Sequence, residues 1–235
     1  MKKVTIYGER CSGTNYLEEL LKLNFEIELV WDYGWKHFFG FNDLSKGSDD
    51  VLFVGIIRNL HDWLNALYRD PHHLPTHLTI NTQAFLNDTF YSVYSFKEES
   101  REIKKTYNNF YSTKKDEEIM TDRNMETNER YKNIFELRLV KNRFLVDKMP
   151  RLVKHYCLIT YDDLTNNFVD IMGKLRDCGL TVKPNIEFPL NVTYYKQEKN
   201  KTFVKKVNEI PMATINHISN KELLFYETLL FKNNI

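Results

Sequence analysis

The sequence predicts an α/β fold, a mostly parallel central sheet flanked by helices, in a single domain over residues 1–235. Three observations carry that expectation. Short β-prone runs alternate with segments whose apolar residues recur every three to four positions, the pattern of strand–helix–strand units. One run, VLFVGIIR at 51–58, is apolar almost throughout, as a strand covered on both faces requires. The first strand-like run opens through a glycine-bounded turn into a helix, YGERCSGTNYLEELL at 7–21, the order of elements that a phosphate-binding loop uses.

Taken in order, VTIYG at 4–8 is the first strand, ended by Gly8. The helix after it carries Leu17, Leu20, Leu21 and Asn24 at i, i+3, i+4 and i+7, one face turned to the sheet. EIELVW at 26–31 is a second strand, followed by WKHFFGF, an aromatic segment broken by Gly40. LSKGSDD is a polar turn that leads into the central strand. Asn59 then caps a helix, with Asp62 three positions on and Leu60, Trp63, Leu64, Leu67 and Tyr68 as its apolar stripe. Residues from about 70 to 130 are polar, aromatic and weakly periodic: an insertion with some helix, expected to act as a lid or acceptor-binding element. A helix through Ile134, Leu137, Val140 and Phe144 follows, then a strand at 155–161, HYCLITY. One further helix carries Leu164, Phe168, Ile171, Met172 and Leu175. Near the end, Ser219 and Glu222 form a capping-box pattern ahead of Leu223, Tyr226 and Leu230. Right-handed crossovers would bring Gly8, residues 35–39 and Arg58 to the carboxyl edge of the sheet, so that they converge on one crevice.

Composition narrows the function classes. The formal net charge is +1, which argues against binding nucleic acid by broad phosphate neutralisation. Cys11, Cys157 and Cys178 have neither metal-ligand spacing nor the even number of a disulfide framework, which favours a reducing compartment. No apolar run is long enough to span a membrane and no signal segment precedes the first strand, so a soluble, cytoplasmic protein is expected. The Asn-x-Ser/Thr matches at Asn87, Asn191 and Asn200 are those a chain rich in Asn and Thr produces by chance. Asp70, His72, His73 and His77 sit in an irregular, proline-containing stretch, and no metal site is expected there.

The loop has the spacing of a nucleoside-triphosphate cradle without its key residues. Gly8 and Gly13 match G-x-x-x-x-G, but Thr14 stands at the lysine position and Asn15 at the magnesium-binding hydroxyl. Such a turn still offers backbone N–H groups and a helix dipole to an anion, with Ser12, Thr14 and Asn15 as side-chain donors and Arg10 as charge. Without the lysine and the hydroxyl it suits a smaller diester or anhydride anion rather than a transferring γ-phosphate. The bland reading is a plain strand–turn–helix connection. Arg58, ending the buried strand, either aims a fixed guanidinium fork at a second phosphate or pairs with a carboxylate such as Asp62.

In combination these residues resemble a known family. YGERCSGTNYL is similar to the 5′-phosphosulfate loop of sulfotransferases, VGIIRNLHDWLNALYR to their 3′-phosphate strand–helix motif, and LITYDDL at 158–164 to a later strand–helix junction. The three stand in the family's order and frame roughly residues 3–180. The resemblance implies a P-loop-like domain using 3′-phosphoadenosine-5′-phosphosulfate (PAPS), a donor with no γ-phosphate and no need of a metal. It implies donor contacts from Arg10, Cys11, Ser12, Gly13, Thr14, Asn15 and Arg58. It also implies His37 as the base and Lys36 as the cation, since the family places such groups after the first helix; Asp32 and Asp43 are weaker alternatives for the base. Cys11 occupies the family's lysine position, with Arg10 as the substitute cation, and Ala66 occupies the position of a serine that touches the 3′-phosphate. Lys199, Asn200 and Lys201 are either further phosphate contacts or a solvated basic face. The implied partner is a small-molecule or carbohydrate acceptor, its specificity set by the insertion. Two rival readings stay open: a small-molecule kinase with an atypical loop, and a nucleotide-binding module whose catalysis has decayed.

Overall fold

The structure, a computed structural model, describes residues 1–94, 116–192, 210–211 and 220–231. Strands β1 (Lys3–Tyr7), β2 (Glu28–Leu29), β3 (Val51–Ile57) and β4 (Tyr156–Thr160) form one all-parallel sheet in the order β2-β1-β3-β4. Helix α1 (Thr14–Asn24) joins β1 to β2. The long passage from β3 to β4 carries α2 (Leu60–Arg69), α3 (Thr82–Asn87), α4 (Ile134–Arg143) and α5 (Met149–Leu152). After β4 come α6 (Tyr161–Asn166), α7 (Phe168–Asp177) and α8 (Lys221–Leu230). The chain is thus α/β with a parallel sheet flanked by helices.

The apolar run of β3 works as its composition requires. Leu52, Val54 and Ile56 pack with Leu17, Leu20 and Leu21 of α1 and Ile171 and Met172 of α7 on one face. Val51, Phe53 and Ile57 pack with Tyr7, Phe39, Phe144 and Met149 on the other. The two sets alternate along the strand, because successive side chains point to opposite faces. A third cluster joins Trp63, Leu64 and Leu67 of α2 to Phe85, Phe90, Tyr131 and Leu137. The described flanks of the expected insertion are therefore anchored in apolar core. Residues 95–115 lie outside the described residues.

Three expected elements differ. The strand expected at 26–31 shrinks to two residues, because the chain leaves the sheet to turn: the Tyr7 hydroxyl donates to the Tyr33 carbonyl at 2.6 Å, and Gly8 N donates to the Lys36 carbonyl at 2.9 Å. The helix expected after β4 is two helices. Asn167 leaves the helical region (φ −120, ψ 42), and its side chain donates back to Asp163 Oδ1 at 3.3 Å, the local competition with helix that asparagine favours. Asn220 caps α8, accepting from the amides of Glu222 and Leu223, whereas Ser219 lies outside the described residues. Asn59 does cap α2, its Oδ1 accepting from Asp62 N at 2.9 Å. Among the described residues no helix is long and apolar enough to cross a membrane.

Candidate functional site

The sheet order creates the crevice. From β1 the chain passes to β2 on one side, and from β3 it passes to β4 on the other, so the carboxyl ends of β1 and β3 part between two diverging connections. Ligands of open parallel sheets bind at such a switch point. The loop at 8–13 leaves β1 there, and Arg58 leaves β3 beside it.

Gly8 passes so near β3 that a Cβ would stand 2.6 Å from Ile56 Cγ2 and 2.7 Å from the Ile56 carbonyl oxygen. Ser12 N donates to the Glu9 carbonyl at 3.1 Å, and Cys11 (φ 61) and Gly13 (φ 92) take the left-handed region. Left-handed Gly13 followed by helical Thr14 curls consecutive N–H groups around one point, the geometry of an anion nest. No side chain caps α1, so the amides of its first turn face the loop without that competitor. Gly13→Ala is expected to cost about 1–3 kcal/mol, the usual range for left-handed strain at a non-glycine residue. The added Cβ would also overlap the Tyr161 ring. Urea unfolding of the variant checks this; an unchanged midpoint would refute it.

Arg58 meets the loop from the other lip. Its Nη1 donates to the Cys11 carbonyl at 3.3 Å, its guanidinium lies 4.8 Å from the centre of the Tyr161 ring, and its buried Nε has no partner among the described residues. The backbone around it is pinned. Asn59 donates to the Asp162 carboxylate from both its amide (3.2 Å) and its side chain (2.8 Å), and the Arg58 carbonyl accepts from Arg138 Nη2 at 2.5 Å.

Two residues expected to face a donor point inward instead. Arg10 is 1% exposed and spends its guanidinium on Ser92 Oγ (2.8 Å), Asp122 Oδ2 (3.1 Å), the His72 carbonyl and Glu9. Only its Nε lacks a partner. Lys141 of α4 completes this cluster, donating to Asp122, to Glu9 Oε1 at 3.2 Å and to the His37 carbonyl at 2.6 Å. Two carboxyls and two cations thus form a buried quartet beneath the loop, in which burial pushes the Asp122 carboxyl up against the pull of Lys141 and Arg10. Burial alone would raise the Glu9 carboxyl, but Lys141 and Arg10 hold it below its ordinary value. Ser12 is fully buried and its Oγ has no partner among the described residues; it lines a cavity of about 10 Å³ with Glu9, Arg138, Lys141 and Asn142, room for one water. Burial, with nearby Asp70 adding, pushes the half-buried Cys11 thiol up to about 12, away from the thiolate form.

Lys36 and His37 lie in a turn rather than a strand, which lets both reach the loop. Lys36 Nζ donates to Asn15 Oδ1 at 2.5 Å and to Glu18 Oε2 at 3.2 Å, and lies 5.0 Å from the centre of the Trp35 ring. His37 Nδ1 sits 2.8 Å from the Gly8 carbonyl oxygen. A carbonyl only accepts, so Nδ1 carries the proton and Nε2 keeps the lone pair, the tautomer a general base needs. Burial, with Lys36 adding, drives its pKa well below the ordinary imidazole value and keeps the ring neutral. Nearby His73 is lowered to about 4 by burial and Arg10.

A depressed imidazole pKa means the unfolded chain binds more protons between that value and about 6.5, so stability is full above about pH 6.5 and falls as the pH drops towards 4. His73 alone bounds the loss at about 3 kcal/mol, at 1.36 kcal/mol per unit. His73→Asn is expected to flatten that fall in thermal melts across the window, and an unchanged slope would refute the assignment.

The remaining candidates scatter. Asp32 and Asp43 are exposed, and Asp43 accepts from Ser45. Asp70 pairs with His72 at 2.8 Å, His73 turns to the Val93 carbonyl, and His77 packs on Tyr91. Lys199, Asn200 and Lys201 lie outside the described residues. Sequence reasoning missed Arg138, Lys141, Asp122 and Glu227. The available signal was ELRLVKN, where two cations interrupt an apolar helical run at i and i+3. Searches of protein-family models, curated proteins and solved structures found no match to this chain.

Proposed function

We propose that this chain is a sulfotransferase that moves the sulfuryl group of PAPS to a hydroxyl or amine of a small-molecule or carbohydrate acceptor. The observation that carries the reading is the pair of anion stations on one crevice. One is the uncapped start of α1 with its left-handed Gly13; the other is Arg58, held rigidly with a spare buried Nε. Their meeting at the β1–β3 switch point, where Arg58 Nη1 bonds the Cys11 carbonyl of the loop, supports a ligand that carries more than one anionic group. When bound, PAPS supplies an activated sulfuryl group whose bond to the 5′-phosphate breaks as the acceptor attacks in line. The chain's own residues hold the two anionic ends, and His37 Nε2 takes the acceptor's proton. Lys36, whose amine reaches Asn15 in the first turn of α1, balances charge beside the loop. The products are a sulfate ester or sulfamate and 3′,5′-PAP. Three cysteines without disulfides accord with a reducing, cytoplasmic setting.

A kinase reading draws on the same lysine, because Lys36 brings from elsewhere the cation that the loop lacks. Calorimetric titration of PAP, and separately of ATP with magnesium, decides between them. Micromolar PAP binding with no ATP response is the expected result. The reverse would install the kinase, and silence towards both would leave a module without its nucleotide.

A further inference from the structure

Arg138 is 1% exposed in the middle of α4, and its partners have a defined order. Its Nε and Nη2 donate to the two carboxylate oxygens of Glu227 at 2.9 and 3.2 Å, while Nη2 also donates to the Arg58 carbonyl. The face of Trp63 lies 5.0 Å from its guanidinium carbon. Glu227 comes from α8, at the far end of the chain. It also accepts from the Leu60 amide at 3.2 Å and from Asn142 Nδ2 at 3.2 Å. One buried ion pair therefore grips both sides of the β3–α2 junction, the carbonyl of Arg58 and the amide two residues later. Nothing in packing demands this, since a buried pair of this kind is often replaceable by apolar side chains without loss of stability. What the pair adds is a fixed direction for the backbone that carries Arg58.

We propose that Arg138, anchored by Glu227, is the positioning residue of the site: it sets the Arg58 guanidinium through the Arg58 carbonyl and makes ligand affinity depend on the docking of α8. This rests on Arg58 being an anion contact, as the donor reading has it. By linkage, a ligand held by Arg58 must in turn stabilise the docked α8.

The test uses the full chain with Arg138→Met/Glu227→Gln, which removes both charges together and leaves an acceptor for the Leu60 amide. Hydrogen exchange without ligand reads the clamp itself. Faster exchange confined to residues 59–64, with the rest of the chain protected as in wild type, is expected; unchanged exchange there overturns the proposal. PAP titration reads its effect on the site. Affinity is expected to fall at least about tenfold in the double variant, and no further when the change is made on an Arg58→Ala background. Full affinity, or an equal fall on both backgrounds, overturns positioning through Arg58. PAP protection of α8 amides in wild type supports the linkage. A wild-type chain that binds no PAP removes the donor reading, while the ligand-free exchange result still decides whether the clamp holds the junction.

Discussion

Arg58→Ala is expected to weaken PAP binding by about 30-fold or more and to leave the fold intact. Truncating one partner of a desolvated, hydrogen-bonded charge pair costs about 2–5 kcal/mol, and each 1.4 kcal/mol is tenfold in affinity. Among the described residues this side chain donates to one carbonyl and rests on one ring, so the loss is expected to fall on the ligand rather than on the fold. Arg58→Lys is expected to recover only part of the affinity, since an ammonium cannot reproduce the guanidinium's fork of donors. Calorimetry on circular-dichroism-matched samples reads both variants. Equal PAP affinity in wild type and Arg58→Ala would refute the placement of the 3′-phosphate at β3.

Lys141→Met is expected to produce the largest loss of stability, about 3–5 kcal/mol, the range for breaking a buried ion pair from one side. It leaves Glu9 and Asp122, 5% and 1% exposed, to share the one remaining cation, Arg10. It also removes the donor to the His37 carbonyl. Lys3→Met is the control: Lys3 and Asp50 form an ion pair at the surface, with side chains 45% and 62% exposed, and its loss is expected to leave the urea midpoint where it was. If Lys141→Met were as mild as Lys3→Met, the quartet would contribute no net stability.

Much of the architecture could be read from residue patterns because period and punctuation encode it. The alternating faces of β3, the apolar face of α1 and the cap at Asn59 are local properties, settled within a turn or a strand. Gly8, Gly13 and Arg58 were legible for the same reason: each follows a strand whose end is visible. The inward turn of Arg10 was not. It depends on Asp122 and Ser92, more than eighty residues away, whose carboxylate and hydroxyl meet it only after the passage between β3 and β4 has folded back. Nor does sequence say that Arg138 and Lys141 lie buried beneath the loop and the β3–α2 junction rather than on a solvated helix face. Burial decides that, and burial here is set by α8 and by the turn at 36–37.

The strand order also dictates a sequence of events. β1, α1, β2 and β3 all lie within residues 3–57, so three of the four strands can pair over a short stretch of chain. The partner of β3 on its other side, β4, is made only after residues 58–155. A chain emerging from the ribosome therefore holds β3 for a time with its amides and carbonyls open on one edge, flanked by Leu52, Val54 and Ile56. Such edges are templates for intermolecular pairing until they are covered. The passage that delays β4 is also the passage that supplies Asp122, Arg138 and Lys141. The residues that seat the cations beneath the loop thus leave the ribosome before the strand that closes this edge of the sheet.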